Sequence, residues 1–350
     1  MSGTAKPLSR ADAAPLLEPY LLKRDDGPSG VVLAVSGGPD SVALMRLAAT
    51  VGRRSRVSVT AATVDHGLRP GAGAEAETVA SWAAECGLPH RILAWTGRKP
   101  RTAVQEAARN ARYRLLAALA HETGASHLLT AHTLDDQAET ILMRLSRGTG
   151  VGGLAGMRAE SAWSGVVLAR PFLAVPKARL VAACRARGWP FIEDPSNADP
   201  RFARARWRKL MPALAEEGLT AERLGALAVR AQRAEEALDA RAAVVMEAAR
   251  IGAGPGRLDL DGAALLAEPE AILLRIVARA IVAVAGARSR PVRLDRFEAH
   301  VLEGLRPALA EGRRLKLNLG GALIEAAPGR LRFSPEPPRR RVHGQGNTLP

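Results

Sequence analysis

A chain of 350 residues with 47% apolar side chains and only 3% aromatics holds material for about two domains, cored mainly by Ala, Leu and Val. Its two cysteines, Cys86 and Cys184, exclude a disulfide framework or zinc ribbon, and Arg275 and Arg279 interrupt the most apolar stretch, Ala271 to Ala285, so no membrane span is expected. A formal charge of +15, nearly all of it from arginine, points to a polyanionic partner, with nucleic acid the default.

No signal-peptide core opens the chain, so a reducing cytoplasm is the expected location. Ala13 to Leu22 reads as a short helix. Val31-Val32-Leu33-Ala34-Val35 then reads as a strand buried in a parallel sheet. It stops at Ser36-Gly37-Gly38-Pro39-Asp40-Ser41, and a helix runs on from Ser41. A strand, a glycine turn and a helix start together make an anion site. Glycine permits close backbone approach, free N–H groups face the ligand, and the helix dipole favours negative charge. No lysine follows the glycines, so this is not the Gly-Lys-Ser/Thr loop of kinases and GTPases. The pattern resembles the pyrophosphate loop of enzymes that split ATP into AMP and pyrophosphate. Asp40 would repel phosphate directly and makes sense as a residue that binds or orients Mg²⁺. The plainer reading is a strand-turn-helix with a serine cap.

Val57 to Thr63 alternates as a second strand and ends in Asp65-His66-Gly67-Leu68-Arg69. A helix from Glu75 to Cys86, a strand from His90 to Trp95, a long helix from Thr102 to Glu122, a strand from Ser126 to Ala131 and a helix from Leu134 to Arg147 follow. Strands alternating with helices predict a doubly wound parallel sheet with ligands beyond the strand carboxyl ends. Gly150 to Ala155 matches a dinucleotide fingerprint but follows a helix, so it is expected as a flexible loop. Another helix lies within Pro171 to Gly188, and the polar, basic segment Pro190 to Arg208 closes the first domain, residues 1–212. Residues 213–334 read as a smaller, mainly helical domain: helices over Thr220 to Arg250, Leu265 to Ala285 and Leu294 to Leu305, a hairpin over Arg314 to Glu325, and a further strand at Leu331 to Phe333. The basic tail, residues 335–350, has no apolar pattern and is expected to be disordered.

Three clusters carry chemistry. His132, Asp135, Asp136 and Glu139 open a helix, with His132, Asp136 and Glu139 on one face. Beside a phosphate loop they suggest Mg²⁺ or an amine to be oriented; elsewhere they would complement the helix dipole. Glu106, Arg109 and Tyr113 share a face of the long helix, with Arg112 adjoining; a guanidinium fork suits phosphate, and a solvated charged face fits the spacing equally. Glu193-Asp194-Pro195-Ser196-Asn197 is a turn that leads into Arg201, Arg204, Arg206, Arg208 and Lys209, cations with no acid among them. We read these as a track for an RNA backbone, and Trp207 as a buried linker residue.

These motifs, in this order, resemble the tRNA(Ile)-lysidine synthase family of the pyrophosphate-loop ATPase superfamily, over residues 30 to about 212. The Thr130 to Thr140 block and the Glu106 to Tyr113 helix are more specific than the loop. The resemblance implies an adenine nucleotide alpha hydrolase-like α/β fold and a ligase of two steps. ATP adenylates the wobble cytidine of the CAU-anticodon isoleucine tRNA, and free L-lysine displaces AMP to give lysidine. It implies ATP binding by Ser36, Gly37, Gly38, Pro39, Asp40, Ser41, Asp65 and His66, and Mg²⁺ at Asp40 and Asp136. It implies catalytic roles for Asp40, Asp135, Asp136, Glu139, Arg112 and His132, and tRNA binding by Arg201, Arg204, Arg206, Arg208 and Lys209. The second domain would recognise tRNA, and a homodimer is left open. Two positions depart from the family pattern: Thr133 stands where many relatives carry histidine, and Ala203-Arg204 where they often carry Arg-Asn. The alternatives are a tRNA thiolation enzyme, which needs cysteines that this chain lacks, a small-molecule amidating ligase, which would not need the charge, and a non-catalytic RNA-binding protein.

Overall fold

The computed structural model describes residues 5–22, 30–54, 56–68, 71–100, 102–194, 199, 201 and 203–337. Arg69, residues 195–197 of the turn motif and residues 338–350 of the tail lie outside the described residues. The chain divides into two units, residues 1–148 with 153–230, and residues 149–152 with 231–350. Residue 212, the boundary expected from the sequence, lies inside a helix of the first unit.

The first unit opens with α1 (Arg10–Leu21), β1 (Gly30–Ala34), α2 (Pro39–Val51), β2 (Ser58–Asp65) and α3 (Ala72–Glu85). There follow β3 (His90–Ala94), α4 (Val104–Glu122), β4 (His127–Leu129) and α5 (Leu134–Leu145). After α6 (Val151–Leu154) come β5 (Glu160–Trp163), β6 (Val166–Ala169), α7 (Lys177–Ala186) and α8 (Ala203–Glu216), and α9 (Ala221–Ala248) begins in this unit. The strands form one six-stranded sheet, ordered β3-β2-β1-β4-β6-β5; neighbours are parallel except β5, which is antiparallel to β6. β1 has no alternation because both of its faces are covered. Val31, Leu33 and Val35 join a core with Leu44, Met45 and Leu47 of α2, Val79 and Trp82 of α3, and Leu180 of α7. Val32 packs on the other face with Tyr113, Leu116 and Leu119 of α4. Cys184 lies in the first of these cores, and its Sγ donates to the Pro39 carbonyl at 3.4 Å.

Three findings differ from the sequence reading, the unexpected β5–β6 hairpin among them. Residues Val151–Leu154 are a helical turn where a flexible loop was expected. The end of this turn and the segment after it are fastened to α5: Gln137 Nε2 donates to the Met157 carbonyl at 2.9 Å, Met157 N–H donates to Gln137 Oε1 at 2.7 Å, and Arg144 donates to the Gly153 and Gly156 carbonyls at 3.2 and 2.8 Å. The second unit holds two strands, Arg250–Gly254 and Arg257–Asp261, beyond the expected hairpin and the further strand at Leu331 to Phe333. A five-stranded antiparallel sheet is ordered β7 (Arg250–Gly254), β8 (Arg257–Asp261), β11 (Arg330–Pro335), β10 (Ala322–Ala327) and β9 (Leu315–Leu319). Helices α10 (Gly262–Leu266) and α11 (Glu270–Ala285) follow β8. Ile272, Ile276, Val277 and Ile281 of α11 pack with Ile324, Leu331 and Phe333 of the sheet. Arg275, one of the two charges that break the apolar stretch, is paired with Glu235 and lies 3.5 Å from Asp239. The helical segment near residue 300 contains a π-helical stretch, Ala299–Leu305. Among the described residues no helix is long and apolar enough to cross a membrane.

Candidate active site

The order in which strands are added to the sheet reverses between the parallel neighbours β1 and β4, and the sequence clusters follow the carboxyl ends of these two strands. That is where a doubly wound sheet leaves a crevice for a ligand. Gly37 turns the chain with φ +85°, and a Cβ there would sit 2.7 Å from Ile192 Cδ1, so glycine is needed both for the turn and for the space. The Gly37 carbonyl accepts from Ile192 N–H at 2.9 Å, which clamps the bend. Ser41 braces the loop from beneath. Its Oγ accepts from Ser36 N–H at 3.1 Å and donates to the Gly38 carbonyl at 2.9 Å. Ser36 is exposed and Ser41 is buried, and their hydroxyls lie 3.3 Å apart. Gly38 caps α2 without a side-chain acceptor, so the first N–H groups of α2 have no carbonyl partner within the helix.

Asp40 sits in the first turn of α2, and its Oδ2 accepts from Lys177 Nζ at 2.5 Å. Oδ1 is buried with no hydrogen-bond partner among the described residues. Burial pushes the Asp40 carboxyl up, against the pull of the Lys177 ammonium. Asp135 accepts the backbone N–H of Lys177 at 2.7 Å through Oδ2, tying the starts of α5 and α7 together. Asp136 and Thr133 form the capping box of α5: Asp136 Oδ2 accepts from Thr133 N–H at 2.9 Å and from Thr133 Oγ1 at 3.0 Å. Burial raises the Asp136 carboxyl, but His132, the Thr133 N–H and Arg204 outweigh it and hold the group below its ordinary range.

His132 is buried, with Nδ1 2.8 Å from Thr130 Oγ1. Burial drives its pKa down to about 3, so the ring is neutral at pH 7. The Arg112 guanidinium stacks over the Tyr113 ring at 5.2 Å, and its charge helps to depress both His132 and His66. His66 meets Trp95 edge-on at 6.1 Å, and its buried Nδ1 has no partner among the described residues. Asp65 turns back on its own loop, accepting Gly67 N–H at 2.8 Å.

Glu139, one turn on from Asp135, reaches α8. It accepts from Arg208 Nε at 2.8 Å, and Arg204 stands 4.0 Å off. Burial raises its carboxyl against the pull of Arg208. Two of the five expected RNA contacts are thus turned inward on α5. Arg201 pairs with Asp199 at 2.6 Å, Arg206 donates to the Arg201 carbonyl at 3.1 Å, and Arg206 and Lys209 are exposed. Trp207 packs, partly buried, with Ile141 and Leu142 of α5 and Leu224 of α9. The sequence reading missed Lys177, which lies 137 residues from Asp40. Its one signal was a lysine at a helix start in a chain whose cations are mostly arginine.

These features define an ATP-binding pyrophosphate-loop domain, and the PP-loop domain family matches residues 13–214. The U34-tRNA thiolase NcsA from Methanococcus maripaludis superposes with a TM-score of 0.54 over 65% of this chain and 79% of its own, at 16% identity, a likeness of fold. A tRNA(Ile)-lysidine synthase of Methylobacterium nodulans is 57% identical over 344 residues, covering 97% of this chain and 99% of its own. That of Rhodopseudomonas palustris is 50% identical over 319 residues, covering 89% and 91%. The chain belongs to the tRNA(Ile)-lysidine synthase family. These relatives give no support to the thiolation or amidating alternatives.

Proposed function

We propose that this chain adenylates the 2-keto oxygen of the wobble cytidine in the CAU-anticodon isoleucine tRNA and joins free L-lysine to the activated carbon. The observation that carries the reading is the Gly37 bend above the start of α2, with Asp40, Asp135 and Asp136 beside it. A cytosine carbonyl is a poor electrophile. Attack of its oxygen on the α phosphate expels pyrophosphate, held by Ser36 to Ser41, and makes AMP the leaving group. The lysine ε-nitrogen then bonds to C2 as the C2–O bond to AMP breaks, and the ammonium proton must pass to a base. Asp135 or Glu139 is the carboxylate proposed to hold that ammonium; Glu139 keeps a buried Oε2 with no hydrogen-bond partner among the described residues, Arg204 standing 4.0 Å off. Neutral His132 and cationic Arg112 border the α phosphate, where Arg112 steadies the charge.

The unpartnered, buried Oδ1 of Asp40 fits Mg²⁺, which takes one or two carboxylates and completes its shell with phosphates and water. Asp40 and Asp136 would hold it. When bound, it neutralises charge on the phosphates. Arg206 and Lys209 are proposed to touch the tRNA backbone, and the second unit to recognise the rest of the tRNA. In support, that unit has a cavity of about 690 Å³ lined by Arg290, Arg293 and Arg296. A homodimer is compatible with the reading and plays no part in it.

The test is mass spectrometry of the wobble base after incubation of purified protein with ATP, lysine and tRNA transcript. The wild type should add lysine and release pyrophosphate; Asp40→Ala should bind tRNA normally and do neither. Lysine addition by Asp40→Ala at the wild-type rate would refute the role of Asp40, and no addition by the wild type would refute the reading.

A further inference from the structure

The pyrophosphate loop carries no cation of its own, and its first helical turn places a carboxylate where phosphate must come. Lys177 supplies the missing charge from another helix. Its backbone N–H is fixed to Asp135, so the start of α7 is pinned while the four-carbon stem remains free to swing. The side chain of Lys177 is 35% exposed and that of Asp40 is 17% exposed, so the pair is open to solvent from the lysine more than from the carboxylate. With one oxygen of Asp40 on Lys177 and the other buried without a hydrogen-bond partner among the described residues, the carboxylate is half satisfied. A divalent cation would complete it and release the ammonium in the same event. The start of α7 adds its own partial positive charge at that spot.

We propose that Lys177 is a phosphate ligand held in reserve. Without nucleotide its ammonium neutralises Asp40; when ATP arrives with its cation, Asp40 passes to the metal and Lys177 to a β- or γ-phosphate oxygen. No covalent bond changes, and the pair exchanges one partner each. The inference rests on the proposed ATP reading, and its test separates the two. Full-length wild type, Lys177→Met and Lys177→Arg are titrated calorimetrically with ATP and with AMP, each in excess Mg²⁺. Lys177→Met should weaken ATP binding about ten- to a hundredfold, the loss expected for one charge-assisted contact, and leave AMP binding unchanged, because AMP lacks the β and γ phosphates. Lys177→Arg should recover most of the ATP affinity, and inorganic pyrophosphate should compete with ATP less well against Lys177→Met than against wild type. Equal weakening for ATP and AMP would reduce Lys177 to a prop for the start of α7 and overturn the proposal. Unchanged ATP binding in Lys177→Met would overturn it too, with the ATP reading intact. A wild type that binds neither nucleotide would remove both.

Discussion

Burial holds the His132 imidazole at a pKa of about 3, far under its ordinary 6.5. The unfolded chain therefore takes up a proton below pH 6.5 that the folded chain refuses until about pH 3. Stability from this group is complete above the upper value and is lost as pH falls towards the lower, at up to about 1.4 kcal/mol per pH unit for one proton. The thermal midpoint is expected to drop steadily between these limits. In His132→Asn, which can keep a hydrogen bond to Thr130, the slope should flatten. An unchanged slope would mean that the ring takes its proton while folded. Gly37 is as tightly constrained. Gly37→Ala meets both a left-handed φ of +85° and the Ile192 side chain, so even with Ile192 trimmed the backbone strain would remain.

Between α5 and α8 the tie is Glu139 to Arg208, a buried carboxylate held across 69 residues of sequence. Removing the guanidinium strands the carboxylate, so Arg208→Ala should cost about 2 kcal/mol. Lys209→Ala, one position on but exposed, should change stability by less than about 0.5 kcal/mol. Chemical denaturation of both variants checks this, and equal losses would place the stability of α8 elsewhere. The same contact explains what the sequence could and could not tell. β1 was legible because a strand covered on both faces has an uninterrupted apolar run. The loop was legible because its glycines and its helix start are local. The Arg204 to Lys209 run looked uniform, since one-dimensional spacing does not say which arginine turns inward. The β5–β6 hairpin hid in a two-residue turn, with Ser164 at φ +46° and Gly165 at φ +82°, between short strands. β7 and β8 hid because glycines at 252, 254 and 256 break any alternation and the pairing shifts register at Arg250 and Gly252. Lys177 and Asp40 meet only after α7 packs on α2.

At the scale of the whole molecule, a charge of +15 should make tRNA binding salt-dependent, with log affinity falling by about 0.7–0.9 per phosphate contacted for each unit of log salt. Arg206→Glu and Lys209→Glu should each lower that slope by about 1, whereas uncharged surface changes should not. Fluorescence anisotropy across a potassium chloride series decides it; slopes equal to wild type would remove these two side chains from the RNA interface. The buried thiol under the loop has a practical side. Burial pushes Cys184 up to about 11, so it stays protonated and sealed, while Cys86 is partly exposed. A maleimide dye should therefore attach at Cys86 alone in the native protein. The chain comes with a single natural handle for spectroscopy, at the end of α3 and needing no engineering.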